Sequence, residues 1–400
     1  MGLNEVHSSD RIHIGFFGRR NAGKSSLVNA ITNQELAVVS DVAGTTTDPV
    51  YKAMELLPLG PVMIIDTPGI DDEGILGEKR IKKTKQVLNK TDMAVLVVDS
   101  TVGITPSDVE LLDLFKEKSI KYITVFNKCD IASGTVCSDN EICVSSKNKK
   151  NIENLKNMLA ALLENDEEEK RIVGDLIKPK DFVLLITPID KSAPKGRLIL
   201  PQQQTIRDIL DSDACAIIAK ETEIEDVLNG LSKKPALAIC DSQVFKKAAA
   251  QIPQDIDLTS FSILFARYKG NLNSAVKGAC AIDNLSDGDT VLISEGCTHH
   301  RQCEDIGTVK IPALIKKYTR RDINFKFTQG TEFPDDFSEF KLVIHCGGCM
   351  LNEREMKYRI KTATDSNIPI TNYGIAIAYM NGILKRSVKI FPEINSLIKT

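Results

Sequence analysis

Short apolar runs alternate with helical patterns along the first part of the chain. Runs of strand length cover residues 12–17, 62–65, 94–98 and 122–126, and helical periodicity covers residues 25–33, 77–88 and 108–116. Strands that alternate with helices in this way are typical of a mostly parallel, doubly wound sheet. The pattern therefore predicts an α/β fold for this segment.

The same alternation continues after a charged run at residues 164–171. The predicted strands are 182–186, 214–219, 236–239, 260–265, 290–294 and 342–344, and the predicted helices are 202–210, 224–231, 243–252, 271–285, 309–317 and 352–364. The stretch near residues 175–270 carries no chemical motif and is interpreted as a spacer, a regulatory unit or an oligomerisation surface. We predict three α/β domains, at 1–172, 173–268 and 269–400.

Length and composition narrow the class of protein. The 400 residues exceed what one hydrophobic core usually serves, and 42% hydrophobic residues are ordinary for a globular protein. A net charge of −3 argues against a chain built to coat nucleic acid. No apolar run approaches the length of a membrane span, and the polar N-terminus does not resemble a signal peptide. We expect a cytoplasmic protein with no membrane partner.

A phosphate-binding loop follows the first predicted strand. Residues 18–25 read Gly-Arg-Arg-Asn-Ala-Gly-Lys-Ser between a strand and a helix, which is the context that this motif requires. Its glycines let backbone N–H groups turn towards the β-phosphate, Lys24 supplies charge to the β and γ oxygens, and Ser25 supplies a hydroxyl to Mg²⁺. The nucleotide-contacting residues predicted here are Asn21, Ala22, Gly23, Lys24, Ser25 and Ser26.

Three further elements follow in the order that a GTPase needs. Thr46 lies in a polar loop where it can reach Mg²⁺, and Asp66 and Gly69 follow a strand, placed for Mg²⁺ and the γ-phosphate. A guanine-recognition set comprises Asn127, Lys128, Asp130, Ser145, Ser146 and Lys147. The Asp130 carboxylate can accept from guanine N1–H and the 2-amino group, a donor pair that adenine lacks. We predict Lys24, Thr46, Asp66 and Gly69 as the catalytic set.

These motifs resemble those of GTPases of the tRNA-modification (TrmE) and Era type. Ile70 follows Gly69, where Ras-like enzymes have a water-orienting glutamine, so slow intrinsic hydrolysis is expected. Asn21 matches the asparagine that helps to bind K⁺ in the potassium-activated members. The resemblance therefore implies GTP and GDP, Mg²⁺ and a stimulating K⁺ as ligands. The alternative is an asparagine that only caps a turn.

The ten cysteines fall into two groups. Six lie in or near apolar segments and are interpreted as small, buried or partly buried thiols: Cys129, Cys137, Cys143, Cys215, Cys240 and Cys280. The other four lie in two clusters that follow predicted strands, Cys297-Thr-His299 with nearby Cys303 and Glu304, and His345-Cys346-Gly-Gly-Cys349. Open α/β sheets place ligands at such strand ends.

The spacing of the second group leaves several kinds of site open. Cys and His ligands suit zinc, and a Cys-x-x-Cys pair alone suits a thioredoxin-like site. An iron–sulfur cluster held by Cys297, Cys346 and Cys349 would leave one iron without a thiolate, which suits an exchangeable ligand. From spacing alone, zinc and an iron–sulfur cluster are equally favoured.

A GTPase head followed by Cys-x-His and His-Cys-x-x-Cys resembles the [FeFe]-hydrogenase maturation GTPases, the HydF family. The resemblance covers the whole chain and implies that Cys297, Cys346 and Cys349 ligate a 4Fe-4S cluster. It also implies homodimer formation through the middle domain. The implied activity is that of a GTP-hydrolysing scaffold that assembles or delivers the di-iron precursor of the hydrogenase active site. The implied partners are apo-[FeFe]-hydrogenase and the radical-SAM maturases that build the di-iron cargo.

Two points stay open at this level. The fourth cluster ligand is assigned to Glu304 because a labile carboxylate keeps the site exchangeable, whereas a thiolate from Cys303 would close it. The alternative is that His300, Cys303 and Glu304 belong to an ordinary solvated loop with no ligand role. The alternative function is an RNA-directed GTPase, in tRNA modification or ribosome assembly, with a structural zinc site. The slightly acidic net charge and the short basic stretch at residues 316–321 do not favour nucleic-acid binding.

Overall fold

A computed structural model describes residues 7–34, 48–69, 83–132, 137–164, 170–189, 198–270, 272–296 and 305–398. The chain divides into two compact units, Met1–Glu168 and Glu169–Thr400. Both are α/β, as the sequence predicts. Within the described residues, no helix is long and apolar enough to cross a membrane.

The first unit is built on a six-stranded sheet with the order β2-β3-β1-β4-β5-β6. All neighbouring strands are parallel except β2 and β3, which are antiparallel. The strands are β1 Ile12–Phe17, β2 Val50–Leu56, β3 Gly60–Asp66, β4 Met93–Asp99, β5 Lys121–Asn127 and β6 Glu141–Cys143. The helices are α1 Lys24–Thr32, α2 at residues 83–88, α3 Pro106–Glu117 and α4 Ile152–Glu164.

Hydrophobic packing on both faces of this sheet explains its central strands. Successive side chains of a strand point to opposite faces, so a strand covered on both faces must be apolar throughout. Strand β4 is buried along almost its whole length, with Val95 and Val97 facing one core cluster and Leu96 and Val98 the other. The polar residues of the predicted nucleotide site lie at the carboxyl ends of β1, β3 and β5, outside these buried segments.

The second unit contains two parallel four-stranded sheets, ordered β10-β9-β7-β8 and β12-β11-β13-β14. Their strands are β7 Phe182–Ile186, β8 Cys215–Ala219, β9 Leu237–Cys240, β10 Asp257–Ser260, β11 Thr290–Glu295, β12 Asn324–Gln329, β13 Phe340–His345 and β14 Ile370–Asn372. The helices are α5 Leu200–Asp211, α6 Ile224–Gly230, α7 Phe245–Gln251, α8 Phe261–Lys269, α9 Leu272–Cys280, α10 Ile311–Thr319, α11 Glu353–Asp365, α12 Tyr373–Met380, α13 Leu384–Ser387 and α14 Pro392–Asn395.

The two sheets of the second unit share a hydrophobic core. Leu184 and Leu258 of the first sheet belong to the same buried cluster as Val276 of α9 and Ile375 of α12. Side chains before and after residue 270 therefore pack together within one unit. The predicted boundary between residues 268 and 269 stays a prediction.

One predicted strand is wrong. Residues 260–265 are not a strand, because Ser260 ends β10 and the chain then enters helix α8. The Ser260 hydroxyl accepts a hydrogen bond from the backbone N–H of Ile263, the interaction of a helix N-cap. An apolar run of this length fits a buried strand and a buried helix equally well, and the serine at its start decides between them.

Candidate functional site

The loop between β1 and α1 has the geometry of a phosphate cradle. Gly23 has φ +92°, and a Cβ atom there would lie 2.3 Å from Asn127 Nδ2. Only glycine fits such a position. Lys24 is buried at the first turn of α1, and its ammonium donates to the carbonyls of Gly18 at 3.0 Å and Arg19 at 2.7 Å. Residues 18–25 thus keep a buried positive charge inside a ring of loop backbone.

A carboxylate and a hydroxyl meet at the mouth of this loop. Ser25 Oγ donates to Asp66 Oδ2 at 2.6 Å, and Asp66 Oδ1 is buried with no hydrogen-bond partner among the described residues. Burial raises the pKa of Asp66, while the bond from Ser25 and the charge of Lys24 oppose the rise. A hydroxyl beside an unsatisfied carboxylate oxygen is a donor set that suits Mg²⁺. The predicted Ser25 and Asp66 therefore fit this ion.

The guanine-recognition residues brace one another. Asn127 Nδ2 donates to the Ala22 carbonyl at 3.1 Å, and its Oδ1 accepts from the backbone N–H and hydroxyl of Ser146. Ser145 Oγ donates to Asp130 Oδ1 at 2.7 Å, and this bond holds the pKa of Asp130 below its usual value. The chain that follows β5 thus presents an ionised carboxylate, and Asn127 of the same set contacts the phosphate loop.

The other predicted nucleotide-binding residues differ in their burial and in the groups that they contact. Gly69 packs so closely against the phosphate loop that a Cβ atom would lie 2.6 Å from Arg20 N. Lys128 donates to Asp99 Oδ2 at 2.6 Å, and Asn21 is exposed with φ +61°. Ser26 and Lys147 are described, half-buried and exposed respectively. Thr46 and Ile70 lie outside the described residues.

Two of the predicted cluster cysteines lie together at the carboxyl end of β13. Cys346 Sγ accepts backbone N–H groups from Gly296 at 3.1 Å and Gly348 at 3.4 Å. Gly348 has φ +63°, which turns the chain back towards the sulfur. N–H donors aimed at sulfur stabilise a thiolate. The geometry therefore suits a sulfur that carries negative charge.

His345 is held on both ring nitrogens by protein groups. Its Nδ1 lies 2.8 Å from the Cys346 carbonyl and its Nε2 lies 3.0 Å from Arg359 Nη1. A carbonyl only accepts and a guanidinium only donates, so Nδ1 carries the proton and Nε2 accepts. Burial and the Arg359 charge lower the pKa of His345 to about 3, so the ring is neutral. The neutral His345 ring thus holds the Cys346 carbonyl by a hydrogen bond from its Nδ1.

Arg359 joins the two strand ends that precede the cysteine motifs. This arginine is fully buried on α11 and donates to Ser294 Oγ at 3.3 Å on β11 and to His345 on β13. It also donates to Glu355 Oε1 at 2.9 Å and to the Gly330 carbonyl at 2.6 Å. The sequence pattern did not single out Arg359, because its partners are scattered along the chain.

A buried cation lies beside the second cysteine. Burial raises the pKa of the Cys349 thiol, and the charge of Lys269 opposes that rise. Lys269 is the last residue of α8, is 4% exposed and donates to the Leu351 carbonyl at 3.2 Å. A cavity with an empty volume of about 440 Å³, part of it open to solvent, is lined by Lys269, Cys346 and Thr371 among others.

The other predicted metal residues lie outside the described part of the chain: Cys297, His299, Cys303 and Glu304. Within the described part, no group of three or more His, Cys, Asp or Glu side chains is placed to hold a metal ion. The prediction of six buried or partly buried thiols is wrong for two of them. Cys137 and Cys215 are exposed, the first in a surface loop and the second on edge strand β8, whereas Cys240 is buried.

Comparison with known families covers three consecutive parts of the chain. Residues 172–270 match the hydrogen maturase F dimerization domain and residues 273–390 match the hydrogen maturase F tetramerization domain. Together these two matches cover more than half of the 400 residues. The chain belongs to the hydrogen maturase F family. Residues 13–128 match a GTPase family described as 50S ribosome-binding GTPase, so this HydF-family chain carries a GTPase domain and two oligomerisation domains.

Similarity to curated proteins is confined to part of the chain. The tRNA modification GTPase MnmE of Desulforamulus reducens is 37% identical over 122 residues, 30% of this chain and 26% of that protein. GTPase Der of Wolinella succinogenes is 39% identical over 135 residues, 33% of this chain and 28% of that protein. The chain thus spans about a quarter of the length of these relatives. The structure of Aquifex aeolicus Era bound to GDP and AlF4⁻ covers 52% of this chain and 91% of its own, with 19% identity and a TM-score of 0.36.

Proposed function

We propose that this protein is a GTP-hydrolysing scaffold that binds a 4Fe-4S cluster. On this proposal it assembles or delivers the di-iron precursor of the [FeFe]-hydrogenase active site to the apo-enzyme. The observation that carries the proposal is the contact between Gly296 N–H and Cys346 Sγ at 3.1 Å. Cys297 follows Gly296 directly in the chain, so a third thiolate needs little reach to join Cys346 and Cys349.

The donor set supports a cluster with an exchangeable corner. Three thiolates from Cys297, Cys346 and Cys349 would leave one iron for another ligand. His345 is a poor candidate for that place, because both of its nitrogens already have hydrogen-bond partners. We propose Glu304 as the labile fourth ligand. A 4Fe-4S cluster bound in this way would supply an iron to which cargo can attach.

The GTPase domain serves this scaffold as a switch. Mg²⁺, held by Ser25, Thr46 and Asp66, would neutralise charge on the β- and γ-phosphates. Lys24 cradles the same oxygens, and Asp130 selects guanine. With Ile70 in place of a water-orienting glutamine, hydrolysis is slow, and K⁺ near Asn21 would stabilise the developing charge. A nucleotide-dependent switch fits delivery better than an energy source for metal chemistry.

The proposed partners follow from the family. Two oligomerisation domains support assembly of several copies, beginning with a homodimer. Apo-[FeFe]-hydrogenase and the radical-SAM maturases are proposed as the proteins that receive and supply the cargo. We place all of them in the cytoplasm, where thiols stay reduced.

Anaerobic reconstitution tests the cluster. The wild-type protein should bind iron and sulfide with an iron–sulfur absorbance band and an EPR signal after reduction. Cys346→Ala and Cys349→Ala should lose both signals and keep GTP hydrolysis, because they lie in the other compact unit. Cys215→Ala, which removes an exposed thiol of the same unit, is the matched control. Stoichiometric zinc without sulfide would contradict the scaffold and favour the RNA-directed alternative.

The monovalent cation needs its own comparison. GTP turnover should be faster in K⁺ than in Na⁺, and Asn21→Ala should remove the difference while GDP binding persists. Equal GTP turnover rates for the wild-type protein in both salts would contradict the proposal that K⁺ stimulates hydrolysis.

A further inference from the structure

Two thiols meet beside the guanine-recognition segment and have no part in the proposed cluster site. Cys137 Sγ and Cys143 Sγ lie 2.9 Å apart. Cys137 is exposed, and Cys143 is half-buried at the end of β6. A disulfide has an S–S distance of about 2.05 Å, so less than about 1 Å of movement separates the two sulfurs from a bond.

Local structure explains why the pair forms. The backbone N–H of Ser138 donates to Glu141 Oε2 at 3.0 Å, and the N–H of Glu141 donates to the Ser138 carbonyl at 2.9 Å. This turn folds the chain back so that residue 137 returns beside residue 143. Cys143 is fixed by pairing with Phe126 of β5 and by the Asn151 side chain, which donates to its carbonyl at 2.8 Å. Any movement needed for a bond therefore falls on Cys137, in the exposed loop.

The pair adjoins the residues that recognise guanine. Cys143 is followed by Val144, whose carbonyl accepts from the N–H of Cys129 at 3.1 Å. Ser145 and Ser146 come next and hold Asp130 and Asn127. A bond between the two sulfurs would tie the loop that leaves Asp130 to the strand that leads into Ser145.

We propose that Cys137 and Cys143 are a reversible thiol-modification site that exchanges with low-molecular-weight disulfides of the glutathione type and slows guanine-nucleotide release when oxidised. One sulfur, as a thiolate, attacks the small disulfide and releases one small thiolate. The second protein thiol loses its proton to that leaving thiolate and attacks the mixed disulfide, releasing the second small thiolate. This thiolate takes up from water the proton that the first protein thiol gave up. Two protein thiols and one small disulfide thus become one protein disulfide and two small thiols.

The protonation state of Cys137 bears on the rate of this exchange. Burial and the hydrogen bond with Cys143 raise the pKa of Cys137 to about 11. Cys137 therefore keeps its proton at neutral pH, and either sulfur of the pair can be the donor in their contact. Exchange starts from the thiolate fraction present at a given pH, so it should become faster as the pH rises. Cys137 is exposed, so a small disulfide can reach the pair.

Peptide mapping of the full-length protein tests the linkage. The protein is equilibrated anaerobically in buffers of graded oxidised-to-reduced glutathione ratio, free thiols are alkylated, and the chain is cut after glutamate and aspartate, so that cleavage after Asp130 separates Cys129 from Cys137. Cleavage after Glu141 separates the two cysteines, so their fragments stay joined only by a disulfide. We expect joined fragments at the oxidising end and separate ones after reduction. Free thiols throughout, or a bond from Cys143 to Cys129, would overturn the site.

Nucleotide release tests the consequence. A fluorescent GDP analogue should leave the oxidised wild-type protein several-fold more slowly than the reduced one. Cys137→Ser, an exposed change that leaves β6 intact, should release at the reduced rate under both conditions. Cys215→Ser, which removes an exposed thiol of the other unit, should behave as wild type. Equal rates for oxidised wild type and oxidised Cys137→Ser would refute the coupling to nucleotide release.

Discussion

Replacing the buried Arg359 with methionine should strongly destabilise the second unit. The guanidinium is 0% exposed and serves four protein acceptors, so its loss leaves several buried groups without donors. Glu355, which is 7% exposed, would keep a carboxylate with no countercharge in its place. Breaking a buried ion pair from one side costs about 3–5 kcal/mol. We expect a loss of that size for Arg359→Met.

The assay must report on the two units separately, because a chain with two compact units need not unfold in one step. Calorimetry with and without GDP distinguishes the two units, since GDP raises the unfolding temperature only of the unit that binds it. The transition of the second unit should fall in Arg359→Met while GDP affinity stays unchanged. Arg207→Met is the matched control, because Arg207 is 77% exposed and its ion pair with Asp211 contributes little.

A double variant separates the charge from the packing. Glu355→Leu combined with Arg359→Met removes the orphaned carboxylate, and the pair should be more stable than Arg359→Met alone. A single variant within about 1 kcal/mol of wild type would refute the reasoning, because it would mean that the buried groups find other partners. A double variant less stable than the single one would refute the assignment to an unpaired charge.

Three further predictions concern single contacts. Ser260→Ala should lower the stability of the second unit by about 1 kcal/mol by removing the N-cap of α8, as denaturant unfolding would measure. In the protein with the proposed cluster, Lys269→Met should make the reduction potential of the cluster more negative, because a buried positive charge is lost. Lys277→Met, which changes an exposed residue, should leave that potential unchanged. A redox titration of both variants measures the difference. Burial raises the pKa of Asp99, but hydrogen bonds from Lys128 and Thr101 outweigh it and lower the pKa overall. The Asp99 contribution to stability should therefore be present above its unfolded pKa of about 4 and lost as the pH falls through the lower folded value, and Asp99→Asn should reduce that acid sensitivity in pH-dependent unfolding.

The central strands could be predicted because a strand that is buried on both faces has an unbroken run of apolar residues in the sequence. Strand β4 is the clearest case. The edge strands β2 and β12 cannot be recognised in this way, since most of their residues are exposed or half-buried and they show no such run. At residues 260–265 the same apolar run misled the prediction, because hydrophobicity alone does not report the backbone conformation that the Ser260 cap imposes.

The candidate site divides in the same way. Residues that belong to local motifs, such as Lys24, Asp66 and Cys346, could be named from spacing because the chemistry requires neighbours in sequence. Arg359 and Lys269 could not, since each also contacts residues far away along the chain. Arg359 contacts Ser294, 65 residues distant, and Lys269 contacts Leu351, 82 residues distant. Only the folded arrangement of the strands reveals such partners.

The shared core of the second unit has a practical consequence for fragments of this chain. Residues 172–270 and 273–390 match two separate family domains, yet Leu184 and Leu258 pack in one cluster with Val276 and Ile375. A fragment that ends near residue 270 would expose an apolar face that Val276 and Ile375 cover in the whole chain, and it should aggregate or bind nonspecifically. Fragments should therefore be cut near residue 169, where the two compact units divide.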